Sequence, residues 1–397
     1  EGAFTISAER ALDKLASHQL PRTSAWILKM VQAGVAAEAS GMWVSHGMRS
    51  CKIRLKGGRF GSLEEIREAW IEPIPIADPA RQHLSVALRT VAFSRRRPVL
   101  VVHHCGHQGL RSIFWDGTTM SKVGPAGDSV RGTVTPGELI FFVFRSPLGA
   151  DKTQKKAHGI SDVTAAEFKE LTTYAVCSPV PLWVDNRPLN HFGMEDVSMV
   201  RQSLVFSAQQ ATSELPSLKL PAKVAESSGL ARASLAWTLY HSQERETSRI
   251  SWVKDGVVCE EDALHTNPDS YQVRLFAPAG DLETDLTALQ LRFPSQDLRL
   301  RRTASAVSAF CRELGPGSTL ALEVGKNQRK GPNHWATASV LVFGGLVLAP
   351  ATSGFSFLLS AGAAVGLAVN KAVDKPTAPA SLIRFVQQLD SRYRPHL

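Results

Sequence analysis

The sequence predicts an α/β (α+β) fold of two packed units, followed by a C-terminal apolar helical hairpin. The chain has 397 residues, longer than the ~100–200 residues of one ordinary domain, and 44% of them are hydrophobic. Helical and strand-like periodicities alternate along it, and one long segment carries no charge. This composition excludes a wholly disordered chain, a collagen-like repeat and a polytopic membrane protein.

The charge balance and the cysteines limit the setting in which the protein works. The chain has 45 Lys and Arg against 36 Asp and Glu, a formal net charge of +9, which suits anionic partners without identifying one. Its five cysteines are odd in number and widely spaced, which argues against a disulfide framework. No secretory signal is visible at the start of the sequence. We therefore expect a cytoplasmic protein.

The first 150 residues contain the clearest order of elements. Apolar residues at helical spacing predict a helix over 25–39, and strands are predicted at 41–45 and 50–55. Residues 56–61 form a glycine-rich loop, and Ser62-Leu-Glu-Glu-Ile66 has the pattern of a capped helix start. The order is therefore helix, hairpin of two strands, glycine-rich loop and helix.

This order resembles that of the GHKL ATP-binding superfamily, which includes gyrase, the large heat-shock chaperones, sensor histidine kinases and MutL. Residues 26–33 are similar to its first helical motif, Glu-x-x-x-Asn-Ala, and residues 53–61 to its Asp-x-Gly-x-Gly motif. Gly132-Thr-Val134 and the apolar run Leu139–Phe144 are similar to later parts of the same domain. The resemblance covers roughly residues 4–150. It implies a two-layer sandwich of GHKL ATPase type that holds ATP with magnesium.

The first motif departs from the family at its catalytic position. Leu28 stands where the resemblance implies the glutamate that polarises the attacking water, and Gln32 where it implies the asparagine that holds magnesium. The two residues are i, i+4 and share one face of the helix. Leucine cannot accept a proton, so the sequence predicts no catalytic residue here. Glutamine still offers an amide oxygen.

The second motif departs at the adenine-binding position. Lys56 stands where the resemblance implies an aspartate that accepts a hydrogen bond from adenine, and an ammonium group can only donate. Gly57, Gly58 and Gly61 keep the backbone freedom of the loop. We interpret Gln32, Lys56 and these three glycines as the remnant of a nucleotide pocket. The alternative is that Leu28 and Gln32 are an ordinary helix flank and that Lys56-Gly-Gly is an ordinary turn.

A second α/β unit is predicted after the first. We expect an exit strand and connecting segment over 151–207, a linker or loop over 208–228, and a transducer-like domain over 229–325. Within this domain, Lys254-Asp-Gly256 is a hairpin turn signal. Residues 281–291 are predicted to be helical, as are residues 301–314.

Residues 334–370 are predicted to be an apolar helical hairpin, which divides at Pro350-Ala-Thr-Ser-Gly354. Each half would be ~24 Å long as a helix, against a bilayer core of ~30 Å. Basic residues on both sides fit a membrane hairpin whose ends both stay on the cytoplasmic side; burial against protein is the alternative. An amphipathic tail helix follows over 381–397. The apolar side chains of the predicted membrane segment are Val340, Leu341, Phe343, Leu346, Leu348, Phe355, Phe357, Leu358, Leu359, Val365 and Leu367.

Three other residue groups have a simpler interpretation. His103-His-Cys-Gly-His107 resembles a metal cluster, but alternation on a strand separates His104 from its neighbours, and we predict no metal there. Asp281 and Asp285 are interpreted as a solvated helix face. Arg95-Arg-Arg97 is interpreted as solvated surface; it has no interleaved aromatic residues, so nucleic acid is not expected as a partner.

Together these features predict a degenerate, non-hydrolysing ATP-binding-fold protein that acts as a membrane-associated scaffold or interaction module. A protein partner is expected, and contact with a membrane or acidic lipid through residues 334–370 stays open. No cofactor is certain, and ATP with magnesium remains an open possibility. One alternative is an active chaperone-like ATPase whose catalytic acid is Glu38 or Glu64. Another is a membrane-inserting protein whose apolar hairpin is sheltered in one state.

Overall fold

Two large β-sheets, each covered by helices, form most of the described part of the chain. A computed structural model describes residues 20, 22–71, 76–105, 109–127, 134–145, 160–189, 191–192, 202–211, 216–241, 247–264, 271–285, 289–315, 317–330 and 378–397. The α/β class and the sequence of two sheet-containing units predicted above are confirmed.

The first sheet has eight strands in the order β5-β4-β3-β6-β2-β1-β7-β8 among the residues described. Strand β7 lies parallel to β1, and the other neighbours are antiparallel. Residues 182–188 thus belong to this sheet, beyond the boundary at residue 150 that the sequence suggested. The strands are β1 (Gly41–His46), β2 (Ser50–Lys56), β3 (Val99–Cys105), β4 (Gly109–Trp115), β5 (Gly124–Pro125), β6 (Glu138–Phe144), β7 (Leu182–Val184) and β8 (Arg187–Pro188).

Four helices pack on one face of this sheet and form the second layer. Local capping explains the starts of two of them: Ser62 and Glu65 bond each other's backbone N–H groups in a capping box, and Asp78 caps the helix that begins at Pro79. A π-helical turn, Thr90–Ser94, continues that helix. The helices are α1 (Trp26–Ala36), α2 (Leu63–Ile71), α3 (Pro79–Arg89) and α4 (Ile160–Tyr174).

The second sheet has six strands in the part of the chain that the structure describes, and it packs against helices of its own. Strand β11 pairs with β9 along one edge and with β14 along the other, and β12 lies parallel to β14. Helices α6 and α8 bury their apolar faces in its core, and α7 joins them. The elements are β9 (Gln202–Gln210), β10 (Leu218–Lys219), α5 (Ala222–Ser228), β11 (Arg232–His241), β12 (Arg249–Lys254), β13 (Val257–Ala263), β14 (Tyr271–Pro278), α6 (Gln296–Glu313), α7 (Thr319–Lys330) and α8 (Ala380–Tyr393).

Two expectations about the second unit differ from the structure. Residues 208–228, expected as a linker or loop, include the end of β9, β10 and α5, because Leu218, Leu220 and Val224 are buried in an apolar cluster with the second sheet. The helix predicted over 281–291 is wrong. Among its described residues, β15 (Glu283–Thr284) pairs with a further strand, β16 (Leu291–Arg292), in a small two-stranded sheet.

The tail and the apolar hairpin have different outcomes. Helix α8 lies in the predicted tail segment, and Leu382, Phe385, Val386 and Leu389 bury its apolar face. The hairpin at 334–370, with all of the membrane-segment residues named above, lies outside the described residues. Within the part of the chain that is described, no helix is both long and apolar enough to cross a bilayer.

Candidate nucleotide site

Helix α1 carries the two residues that the resemblance places at the centre of a nucleotide site. Every residue from Trp26 to Gly34 is buried. Leu28 is only 1% exposed and belongs to the apolar core between the first sheet and its helices. The helix has no acidic residue. The position therefore contributes to packing and offers no group that could accept a proton.

The Gln32 amide is engaged at both of its ends by the protein. Its Oε1 accepts a hydrogen bond of 2.6 Å from Lys29 Nζ, and its Nε2 approaches the backbone oxygen of Lys254 in the second sheet at 3.4 Å. A magnesium ion at this oxygen would have to displace the Lys29 ammonium group and then lie beside it. Gln32 therefore joins α1 to the second sheet.

Lys29 is completely buried, which is unusual for a lysine. Burial lowers its pKa to about 7, although the nearby Cys259, Asp255 and Asp285 favour the charged form. Its ammonium group is thus close to half protonated near neutral pH. A buried lysine with such a pKa can exchange a proton under ordinary conditions.

His83 of α3 and Asp255 of the β12–β13 turn lie in the same region. His83 Nε2 is 3.5 Å from Asp255 Oδ2, and burial lowers the pKa of His83 while Asp255 acts against that change. Burial would raise the pKa of Asp255, but His83 and the two nearby lysines outweigh it and leave that pKa below its ordinary value. We call Lys29, Gln32, His83, Lys254 and Asp255 the junction cluster. It connects α1 and α3 to the second sheet.

The glycine-rich loop is closed by its own side chains. Lys56 is exposed, and its backbone oxygen accepts hydrogen bonds from the N–H and hydroxyl of Ser40. Phe60 is buried in the core of the first unit, and a methyl group on Gly58 would meet its ring at 2.4 Å. Gly57 and Gly61 have positive φ angles. These glycines therefore serve a tight turn around Phe60.

A cavity of about 290 Å³ lies beside the junction cluster, where α1 ends against the second sheet. Its lining carries charges of both signs, since Glu38 and Asp255 face it together with Lys219, Arg232 and Lys254. None of Leu28, Gln32, Lys56 or the loop glycines lines it. This cavity is therefore separate from the residues predicted to be the remnant of a nucleotide pocket.

The two alternative catalytic acids form ion pairs at the surface. Glu38 lies 3.6 Å from Arg59 and 3.7 Å from Lys219, measured between nitrogen and oxygen. Glu64 pairs with Arg111 at 2.7 Å. Both carboxylates are thus held by cations.

The remaining sequence candidates also have structural explanations. His103 and His104 lie half-buried on β3, paired with β4. Asp281 pairs with Arg302, and Asp285 accepts a hydrogen bond from the Gln290 backbone, so the helical face predicted for the two aspartates does not exist. Arg97 is not solvated surface, as the sequence suggested for its run, because it is buried in an ion pair of 2.8 Å with Glu167.

Two groups of polar residues escaped the sequence analysis. The junction cluster depends on contacts between positions up to 222 residues apart, and no local pattern marks them. His46, Cys51 and Glu167 also converge, with one potential ligand atom from each within 4.8 Å of the others. His46 and Cys51 face each other across the β1–β2 hairpin, which strand pairing could have indicated. Glu167 comes from α4 and had no such signal.

Comparison with known proteins gives structural similarity only. No protein-family profile and no curated protein matches the chain. Solved structures similar to it include the B-subunit of DNA gyrase from Myxococcus xanthus, at 11% identity and a TM-score of 0.43, with 73% of this chain and 90% of that one covered. The solved structures similar to this chain include GHKL-family ATPase domains of gyrase B and MutL.

Two further structures complete this comparison. The N-terminal domain of a DNA repair protein has 10% identity and a TM-score of 0.41, with 78% of this chain and all of that one covered. The MutL ATPase domain of Aquifex aeolicus, complexed with ADP, has 9% identity and a TM-score of 0.34, with 64% and 90% covered.

Proposed function

We propose that this protein is a non-hydrolysing ATPase-like scaffold, which acts by binding a protein partner rather than by turning over nucleotide. The observation that carries the proposal is the burial of Leu28 in the core, at the position where the family resemblance implies a catalytic glutamate. Hydrolysis needs a group that accepts a proton from water. Helix α1 offers none.

The surroundings of Gln32 support the same proposal. Magnesium is held by oxygen ligands, and it stabilises the charge of the phosphates during transfer. Here the amide oxygen is taken by Lys29, whose partly protonated ammonium group would repel a second cation. A nucleotide bound to this protein would therefore lack the usual support for a metal ion at this helix.

The exposed Lys56 and the closed glycine loop extend the argument to the base of the nucleotide. An ammonium group donates and does not accept, so it cannot take over recognition of the adenine amino group. Phe60 fills the space under the loop. We therefore propose that the chain retains the strands and helices of the ATPase-like fold, whereas packed side chains fill the space of the nucleotide pocket.

Association with a membrane is the second part of the proposal, and it rests on sequence alone. Residues 336–370 contain no charged residue, and cations lie on both sides of that segment. A hairpin of this kind would place the scaffold at a lipid surface. The described residues neither contain this segment nor supply a spanning helix of their own.

Phosphate release decides the first part of the proposal. The purified chain is incubated with ATP labelled in its γ-phosphate and with magnesium, and free phosphate is followed across the fractions of a final sizing column. We expect that phosphate release does not rise and fall with the protein concentration across the fractions. Release that follows the peak and is lost in Glu38→Gln or Glu64→Gln would overturn the proposal in favour of an active ATPase. Release that follows the peak in every variant would overturn it as well.

Sedimentation with liposomes tests the second part. The full chain and a chain that stops at Pro332 are compared on vesicles of neutral lipid and of mixed neutral and acidic lipid. We expect only the full chain to sediment with both. Equal partitioning of the two chains would contradict a membrane role for residues 334–370, and sedimentation on acidic vesicles alone would assign the binding to surface charge.

A further inference from the structure

Three residues with metal-binding side chains meet between the β1–β2 hairpin and helix α4. His46 ends β1 and pairs directly with Cys51 of β2, and Glu167 reaches them from the middle of α4. The potential ligand atoms of the three residues all lie within 4.8 Å of one another. The group lies in the first unit and shares no residue with the junction cluster.

Two of these ligand atoms are buried without a partner. The His46 and Glu167 side chains are 2% and 1% exposed, and neither His46 Nε2 nor Glu167 Oε2 makes a hydrogen bond to any residue that the structure describes. The two atoms are 3.9 Å apart, which is too long for a hydrogen bond between them. Leaving buried polar atoms unpaired is costly, so both atoms indicate a missing ligand.

The remaining atoms of the same side chains are held by neighbours. Asp185 accepts hydrogen bonds from the His46 backbone N–H at 2.8 Å and from its Nδ1 at 2.9 Å. In a neutral imidazole, a proton on Nδ1 facing Asp185 would leave the lone pair of Nε2 for a metal ion, the arrangement found behind metal-bound histidines. Glu167 Oε1 accepts from Trp26 Nε1 at 3.1 Å and from Arg97 Nη1 at 2.8 Å, so only Oε2 points to the centre.

We propose that His46 Nε2, Cys51 Sγ and Glu167 Oε2 bind a zinc ion, with a water molecule as the fourth ligand. Imidazole, thiolate and carboxylate are all zinc ligands, and the thiolate favours zinc over magnesium or calcium. A tetrahedral zinc site with bonds of about 2.0–2.3 Å separates its ligand atoms by roughly 3.3–3.7 Å, so the three side chains close by roughly 1 Å. The ion would fasten the β1–β2 hairpin to α4.

The charges of the site balance when zinc is bound. The thiolate and the Glu167 carboxylate carry the two negative charges that balance the ion. The neighbouring Arg97, which pairs with Glu167, and Asp185, which accepts from His46, add one charge of each sign. Zinc binds the thiolate form of cysteine, so a neutral Cys51 thiol would release its proton when the metal binds.

The test uses the full chain, purified without chelator. Its zinc content is measured by mass spectrometry, and cobalt(II) is then added to chelator-treated protein as a spectroscopic probe. We expect about one equivalent of zinc per chain and a thiolate-to-cobalt absorption band. Zinc below about 0.1 equivalent together with no cobalt band would overturn the proposal, whatever the variants do.

Variants show which residues bind the metal. Cys51→Ser and Glu167→Gln are expected to lose or strongly shift the cobalt band. Cys311→Ser is the matched control, because Cys311 is also a buried free thiol but lies in the core of the second sheet. If Cys51→Ser does not fold, the cobalt band of His46→Gln and the zinc content of the unaltered chain still test the proposal. A band that survives in the site variants, or that is lost in His103→Ala instead, would contradict the proposal.

Discussion

Lys29 Nζ donates a hydrogen bond of 2.6 Å to Gln32 Oε1 one turn further along α1, and both side chains are completely buried. The same glutamine reaches Lys254 in the second sheet. A pair of residues at the position of a nucleotide motif thus connects two units of the fold. Because the pair includes a buried amine, its contribution to stability depends on pH.

Stability is predicted to rise with pH because of Lys29. Its pKa is about 7 in the folded protein and ~10.4 in an unfolded chain, so between these values the unfolded state binds the additional proton. Between these two pKa values, the free energy of unfolding then increases by up to about 1.4 kcal/mol per pH unit. The destabilisation caused by the buried Lys29 charge reaches its full size only below the folded pKa. Urea unfolding at about pH 6.5 and about pH 9 measures this slope.

Lys29→Met removes the titration and isolates its contribution. The free energy of unfolding of the variant is compared with that of the unaltered chain at both pH values. The change caused by the substitution is expected to be more favourable to stability at the lower pH. Lys56→Met, at an exposed position on β2, is the matched control and should follow the pH profile of the unaltered chain. Parallel profiles for Lys29→Met and the unaltered chain would contradict the prediction.

Leu28→Glu is predicted to destabilise the protein without giving it activity. The new carboxylate would lie in the apolar core, at a cost of about 3 kcal/mol or more, whereas Leu28→Met should cost less than about 1.5 kcal/mol. Denaturant unfolding measures both variants, and the phosphate assay is repeated on each. If Leu28→Glu were as stable as Leu28→Met, the position would be open to water, as an active site requires.

Some elements of both units could be predicted from the sequence because local rules determine them. The apolar periodicity of α1, the capping box at Ser62 and the turn at Lys254-Asp-Gly256 depend on residues close in the chain, and the structure has all three. The turn is a two-residue connection with positive φ at Asp255 and Gly256.

The rest depended on contacts between distant residues. The short strands at Glu283 and Leu291 form because they pair with each other, and that pairing overrides a weak helical pattern. Arg97 looked like part of a solvated run, but Glu167, 70 residues away, draws it inside. The junction cluster likewise brings together segments that lie too far apart in the sequence for a local pattern to connect them. Such sites become visible only once the fold is known.

Gly256→Ala is predicted to weaken the contact between the two units. Gly256 has a φ of 73°, and a methyl group there would lie 2.7 Å from Pro179 Cδ and 3.1 Å from both Ser178 Cα and Val35 Cγ2. Gly229→Ala is the matched control, since its φ is 70° but no atom of the described residues lies within 4 Å of the added methyl group. The control should lose about 1 kcal/mol from backbone strain, and Gly256→Ala at least about 1 kcal/mol more from crowding. Equal losses in thermal or urea unfolding would show that crowding at this junction is unimportant.

The last prediction concerns the buried ion pair between Arg97 and Glu167. Arg97→Met leaves the Glu167 carboxylate buried without its cation, which should cost about 3–5 kcal/mol. Arg59→Met removes an exposed partner of Glu38 instead, and should cost less than about 1 kcal/mol. Unfolding is measured with chelator present, so that a bound metal cannot compensate the charge. Adding Glu167→Gln to Arg97→Met should restore part of the loss, because it removes the stranded charge. If the double variant lost the sum of the two single effects, Arg97 would act through packing and its bond to the Phe144 backbone rather than through charge.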